Sequence, residues 1–275
     1  MNKVVLVTGA TGFVGRQILK CLLDQQVAVR LIVREGHEER LGHLAGPEAI
    51  VTTRDLFSES PAWFAAACAG VDTVIHAAWY AEPGKYLQSP LNLTCLAGTL
   101  SLAEGAVQAG VRRFAGIGTC FEYDLTPGLL SVDTPLKPLT PYAGAKAAAF
   151  MALSQWLPAQ SVEFVWCRLF YLFGQAEDKR RLVPYLHSKL AAGEVAELTS
   201  GKQIRDFLDV VEAGRLVADA ALGRRQGAVN VCSGTPVTVR QLAERIADGY
   251  DRRDLLKFGV RPDNLVDPPC VVGIP

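Results

Sequence analysis

Val7-Thr8-Gly9-Ala10-Thr11-Gly12-Phe13-Val14-Gly15 is the stretch that decides the fold. It follows an apolar, β-branched run from Val4 to Val7, the composition of a buried parallel strand. Behind it Val14, Ile18, Leu19, Leu22 and Leu23 recur at helical spacing, so a helix is expected over 13–25. Strand, glycine turn and helix are together the context a dinucleotide fingerprint needs. Gly9 allows the tight turn, Gly12 lets main chain approach a pyrophosphate, and Gly15 lets helix and strand pack closely. The helix N-terminus offers free N–H groups and partial positive charge to phosphates. Thr11, Phe13 and Val14 join the three glycines as cofactor-binding candidates. The competing reading is an ordinary glycine-rich turn, and the flanking strand and helix argue against it.

Outward from this turn, strands are expected at 3–8, 27–33, 48–52, 72–77, 112–118 and 162–169, with helices at 13–25, 61–69, 91–110 and 141–157. That alternation predicts an α/β fold: a Rossmann-type, doubly wound parallel sheet with right-handed crossovers. Ligands of such sheets bind beyond the carboxyl ends of the strands. After about residue 170 the alternation breaks. A charged loop, 174–181, precedes a helix (182–192), a short strand (195–199) and a polar segment ending in Arg205-Asp206-Phe207. Helix 209–222 and strand 228–231 follow, and 250–275 shows little periodicity. The expected organisation is a dinucleotide-binding domain over 1–170, with 202–232 adding late elements. A small C-terminal substrate-binding lobe would take 171–201 and 233–275.

The chain has 275 residues, 49% of them hydrophobic, and zero formal net charge. Neutrality leaves no basic footprint for nucleic acid and no polybasic membrane patch. No run reaches the roughly 18 apolar residues of a membrane span. The chain enters a strand at once, so no signal peptide is expected. The seven cysteines are scattered without metal-type pairs, so no metal site is expected. A reduced, cytoplasmic enzyme is the plain expectation.

Tyr142-Ala-Gly-Ala-Lys146 opens a helix just after Pro138 and Pro141, and i, i+4 spacing puts both side chains on one face. A neighbouring ammonium is expected to favour the phenolate and lower the tyrosine pKa, making Tyr142 an acid–base group near neutrality. A second such pair, Tyr185 and Lys189, lies in a later helix and is expected to serve packing or a substrate wall. Thr119 ends strand 112–118, where its hydroxyl could donate to a substrate carbonyl; a turn cap is the open alternative.

With these segments quoted, the chain resembles the extended branch of the short-chain dehydrogenase/reductase family over nearly its whole length. Thr8 to Gly15 is similar to the family's nucleotide motif. Asp55-Leu56 resembles its adenine-contacting pair, with a helix N-cap as the alternative for Asp55. His76-Ala77-Ala78 resembles the fourth-strand motif that backs the cofactor, and Pro138 to Lys146 the catalytic helix entry. Thr119 stands four residues before Tyr123, as in the family, and Arg168-Leu-Phe resembles its sixth-strand motif. Arg205-Asp-Phe is similar to the segment whose arginine binds a nucleotide-sugar phosphate. The resemblance implies sugar-nucleotide chemistry on NAD(P), with Thr119, Tyr142 and Lys146 as the catalytic set.

Departures narrow it. Family dehydratases carry an acid pair directly after the Thr; here stand Cys120 and Phe121, which cannot move sugar protons, so dehydration is not expected. The family's usual Asn of the preceding helix falls at Cys95, with Asn92 one turn earlier, and the Asn after strand six falls at Tyr171. Trp79, Thr119, Cys120, Tyr171, Arg181 and Arg205 are the substrate-binding candidates. For the Trp79-Tyr80 pair, surface packing stands beside a place in the sugar pocket. Arg34 ends strand two, where a guanidinium could clamp a 2′-phosphate, while Glu35 argues for NAD. NADP is preferred, with NAD open. The resemblance implies a homodimer through helices 91–110 and 141–157. Three functions are carried forward: an NADPH-dependent reductase of a 4-keto-6-deoxy nucleotide sugar, an NAD-retaining 4-epimerase, and a non-catalytic NADP sensor.

Overall fold

The computed structural model describes residues 4–42, 49–264 and 267–275. Positions 3 and 48, expected in strands, lie outside the described residues. The order is β1 (Val4–Thr8), α1 (Phe13–Asp24), β2 (Ala28–Arg34), β3 (Ala49–Thr53), α2 (Pro61–Ala67), β4 (Thr73–His76), α3 (Leu91–Gln108), β5 (Arg113–Thr119), β6 (Leu129–Leu130) and α4 (Pro141–Ala159). Then come β7 (Glu163–Leu169), β8 (Tyr171–Phe173), α5 (Leu182–Ala191), β9 (Ala196–Glu197), β10 (Ile204–Asp209), α6 (Val210–Leu222) and β11 (Gly227–Val231). The last are β12 (Pro236–Thr238), α7 (Val239–Asp248), β13 (Leu256–Lys257) and β14 (Cys270–Gly273). Among the described residues, no helix is long and apolar enough to cross a membrane.

Seven strands form one parallel sheet in the order β3-β2-β1-β4-β5-β7-β11. Its apolar runs are continuous because both faces are covered. Alternate residues point to opposite faces: Val5 and Val7 pack with α1 and α6, whereas Leu6 packs with α2, α3 and α4. Val165 and Cys167 likewise face the first layer and Phe164 and Trp166 the second. The strand order reverses between β1 and β4, the switch point at which open sheets bind ligands. The glycine turn sits there. Gly9 has φ +76°, and a Cβ on it would come 2.6 Å from the Ala78 nitrogen. On Gly15 a Cβ would lie 2.1 Å from the Gly9 carbonyl oxygen.

Beside the main sheet lies a smaller one, in the order β12-β10-β14-β6, with β8 also pairing β10; β9 and β13 form a separate pair. The sequence periodicity did not show β10. Its Arg205 and Asp206 are both buried, which reads as a polar loop. Asp206 is tolerated because it accepts N–H bonds from Ser233, Gly234 and Gly273. α7 also went unread, although Thr238 and Gln241 form a capping box at its start.

A buried polar network joins the two sheets. Glu122, fully buried, accepts from the Arg168 Nε at 2.7 Å, the Trp166 Nε1 at 3.0 Å and the Thr119 main-chain N–H at 2.8 Å. Arg168 also donates to the Tyr123 hydroxyl, which donates to the Asn230 Oδ1 at 2.7 Å. The Asn230 amide reaches the carbonyls of Leu130 and Ile274. β5 leaves room for this network at Gly118, where a Cβ would meet the Trp166 Nε1 at 2.2 Å and the Glu122 Oε1 at 2.4 Å. Glu122→Gln leaves the Arg168 charge buried without its counter-ion. We expect it to lower stability by about 3–5 kcal/mol. Urea denaturation checks this, and a variant as stable as the parent would contradict it.

Candidate active site

A cavity of about 640 Å³ opens at the carboxyl ends of β1, β4 and β5. Gly9, Gly12, Phe13, Val14, Gly15 and Ala77 line one end of it. Thr119, Tyr142, Lys146 and Trp79 line it beside Ile117, and Cys120, Phe121, Tyr171, Glu177 and Arg181 also border it. The fit to a dinucleotide can be judged from the glycine end. α1 starts at Gly12 with no side-chain cap, so its first-turn N–H groups have no side-chain acceptor. The close packing of Gly9 against Ala78 and of Gly15 against Gly9 leaves no room for a Cβ on either glycine. These features match an anion seat at a helix N-terminus.

A threonine–histidine chain steadies this end. The Thr99 hydroxyl donates to the Cys95 carbonyl, so it must accept from His76 Nε2–H at 2.9 Å. His76 Nδ1 then accepts from the Thr8 hydroxyl at 2.8 Å, and the Thr8 oxygen accepts from Ala78 N–H. Burial pushes the His76 pKa down to about 3, with Lys146 adding to the shift, so the ring is a neutral strut.

The catalytic candidates converge. α4 begins with Thr140 capping Ala143 N–H and Pro141 in the first turn, which sets Tyr142 at the cavity. Tyr142 and Thr119 both line the cavity, and the Thr119 hydroxyl favours the Tyr142 phenolate. The Thr119 oxygen accepts from Phe121 N–H, so the cap reading also holds. The expectation that Lys146 lowers the Tyr142 pKa is corrected. Burial pushes the phenol up, Tyr86, Glu122 and Cys120 add to this, and the Thr119 hydroxyl only partly opposes it. Burial also pushes Lys146 down to about 7, against Glu122 and Cys95. Its Nζ is turned to the Ile117 carbonyl at 2.6 Å and lies 3.8 Å from the Trp79 ring centroid. Removal from water outweighs the expected Coulomb term.

Other candidates fall around or outside this centre. Cys120 is buried, its thiol pushed up to about 12, so it is inert as an acid or base at neutral pH. Arg181 pairs with Glu177 at 3.2 Å, whose carboxyl burial pushes up. Arg205 does not line the cavity. Its guanidinium is held by Asp267 at 2.9 Å, 5.1 Å from the Tyr171 ring. The Asp55 carboxylate accepts from Phe57 N–H and Ser58 Oγ as an N-cap, and Leu56 packs against the core. Thr11 and Ala78 stand beside the cavity without lining it. Arg34 is exposed at the end of β2, while Glu35 is engaged by Arg54 at 3.3 Å. Tyr185 bridges Glu197 and Arg261 and Lys189 pairs with Glu194, so that second pair is committed elsewhere. Sequence reasoning missed Arg40 and Tyr86 in the cavity wall, whereas Glu177 belongs to the charged loop 174–181. Nothing local marks Arg40 and Tyr86, because chain folding alone brings them there. Asn92 is buried and accepts from the Trp79 indole N–H, while the Cys95 Sγ accepts from Tyr80 N–H.

Residues 5–232 match the model of the NAD dependent epimerase/dehydratase family. A dTDP-6-deoxy-L-talose 4-dehydrogenase (NAD(P)(+)) of Kitasatospora kifunensis is 30% identical, over 89% of this chain and 78% of its own. A dTDP-6-deoxy-L-talose 4-dehydrogenase (NAD(+)) of Aggregatibacter actinomycetemcomitans is 25% identical over 98% of both chains. The UDP-N-acetylglucosamine 4-epimerase of Methanobrevibacter ruminantium M1 shares the fold, with a TM-score of 0.86 over 99% of this chain and 89% of that one, at 24% identity. Glycine turn, seven-strand parallel sheet and family match agree, and the chain belongs to the NAD dependent epimerase/dehydratase family.

Proposed function

We propose that this protein is an NADP(H)-dependent reductase of a 4-keto-6-deoxy nucleotide sugar. The observation that carries it is the Thr119–Tyr142 hydroxyl pair, facing a cavity whose neighbouring acid-pair positions are Cys120 and Phe121. Two relatives named as 4-dehydrogenases of a 6-deoxy sugar nucleotide support it. A bound reduced nicotinamide would supply the hydride. The protein's part is acid catalysis and charge stabilisation. Thr119, its oxygen already used as an acceptor, donates its O–H to the keto oxygen. Tyr142, kept in its phenol form by burial, gives its proton to the same oxygen as it becomes an alkoxide. Lys146 holds a ribose hydroxyl. Cys120 and Phe121 put no carboxyl group directly after Thr119 to protonate or deprotonate neighbouring carbons, and Glu177 of the cavity wall is engaged by Arg181, so the reaction stops at the alcohol. Arg181, at the cavity wall, is placed to meet the diphosphate, and Arg205 with Tyr171 backs that end.

The test is loss of NADPH absorbance against a panel of 4-keto-6-deoxy sugars on thymidine and uridine diphosphate. Stoichiometric oxidation is expected, and Tyr142→Phe should lower kcat by at least about 100-fold while dinucleotide Kd stays within a few-fold. Sugar interconversion by protein purified with tightly held NAD, needing no added cofactor, would establish the 4-epimerase instead. Activity in cells that survives Tyr142→Phe would establish a sensor.

The NADP preference rests on Arg34, with no side-chain partner among the described residues, and on Arg40 in the cavity wall. Arg34→Ala is expected to raise KM for NADPH about tenfold and leave KM for NADH nearly unchanged. Equal effects on both would remove Arg34 from the 2′-phosphate. A homodimer through α3 and α4 accords with the exposed Leu93 and Met151 on those helices. Light scattering should give twice the 29.6 kDa of one chain, falling to one chain in Leu93→Glu/Met151→Glu. A monomeric parent would sink that arrangement.

A further inference from the structure

The loop between β4 and α3 places aromatic rings around the catalytic pair. The Trp79 indole lies over the Lys146 ammonium at 3.8 Å and stands edge-on to the Tyr142 ring at 6.4 Å. It is not free to swing. Its N–H is bonded to the Asn92 Oδ1 at 2.9 Å, and Asn92, fully buried, is itself tied to the carbonyls of Tyr86 and Ser89. Phe57 meets a further edge of the indole at 6.5 Å. On its other contact Lys146 donates to the Ile117 carbonyl. Of three ammonium donors, one goes to a carbonyl and one faces a ring. Both side chains line the cavity, so the remaining N–H is left for a ligand there.

We propose that Trp79, pinned by Asn92, is a positioning residue for Lys146: its ring face holds the ammonium charged and oriented toward the dinucleotide. This rests on the reductase or epimerase reading of the site, since either uses Lys146. The other groups facing Lys146 are few. Glu122, beyond β5, favours the ammonium but is shared with Arg168. Cys95 of α3 has its thiol pushed up by burial and is neutral. His76 of β4 is neutral as described, and Trp166 of β7 lies farther off at 5.8 Å. The indole is therefore the closest π face offsetting desolvation of the ammonium, and an anionic side chain at position 79 is not needed.

The sign is definite. Ring and cation attract, so removing the ring while keeping the site dry disfavours the charged form. Burial already holds the Lys146 pKa down, to about 7, and without the ring the ammonium would lose its proton at lower pH. The experiment follows the Lys146 Nζ–Cε resonances by pH titration in protein labelled with ¹³C and ¹⁵N lysine, assigned by Lys146→Arg. It needs no turnover. Trp79→Leu is expected to lower the Lys146 midpoint by about one pH unit, and Trp79→Phe, which keeps a ring face but lacks the N–H that Asn92 holds, to fall between Trp79→Leu and the parent. If Trp79→Leu does not fold, tetrafluorotryptophan at position 79 conserves shape, weakens the ring's negative face, and should lower the midpoint likewise. A midpoint unchanged by loss or fluorination of the ring overturns the proposal. In the active protein, the high-pH limb of kcat should move down by the same amount in Trp79→Leu and be partly restored in Trp79→Phe. Titrations as expected in a protein that oxidises no NADPH and interconverts no sugar would defeat the catalytic reading and leave the ring–ammonium pairing standing.

Discussion

The carboxylate of Glu122 is the constraint on which the Thr119 end of the cavity depends. A buried carboxylate is tolerated only if its charge is matched and its oxygens are fully bonded. Here Arg168, Trp166 and the Thr119 N–H do both. Because one of those donors is the main chain of Thr119, the network that balances the charge also sets where the Thr119 hydroxyl stands. Because Arg168 continues through Tyr123 to Asn230, the same network ties β5 and β7 to β6 and β14. The absence of side chains at Gly116 and Gly118 follows from it, since Trp166 occupies that space.

At the glycine end of the cavity the governing fact is close main-chain approach. Gly9, Gly15 and Ala78 sit too near one another for a Cβ on either glycine, and the Thr8–His76–Thr99 chain fixes the strand ends that carry them. A neutral histidine suits that place, because a charge there would oppose Lys146 across the same layer. Polar side chains are thus used as struts at one end and as charge balance at the other.

Between the two ends the proton chemistry is set by dryness. Burial raises Tyr142 and lowers Lys146, the opposite of what an exposed tyrosine–lysine pair would do. The phenol is therefore held in its protonated form. Spacing along a helix specifies that two groups share a face. It does not specify how much water they keep.

The amino-acid sequence alone determined the sheet, its helices and the glycine turn. Each is encoded locally, in runs that alternate at strand period or recur at helical period, so Val4–Thr8, Phe13–Asp24 and Pro141–Ala159 lie within a few residues of their expected bounds. It also determined that Thr119, Tyr142 and Lys146 belong together, because they end or begin elements at the same edge. Only the tertiary structure decided the rest. It turned Arg205 toward Asp267, gave Asp55 to a cap, brought Arg40 and Tyr86 to the cavity, and laid Trp79 over Lys146. Those outcomes depend on partners far along the chain and on how much solvent is excluded between them, and neither distance nor desolvation is written in a local pattern.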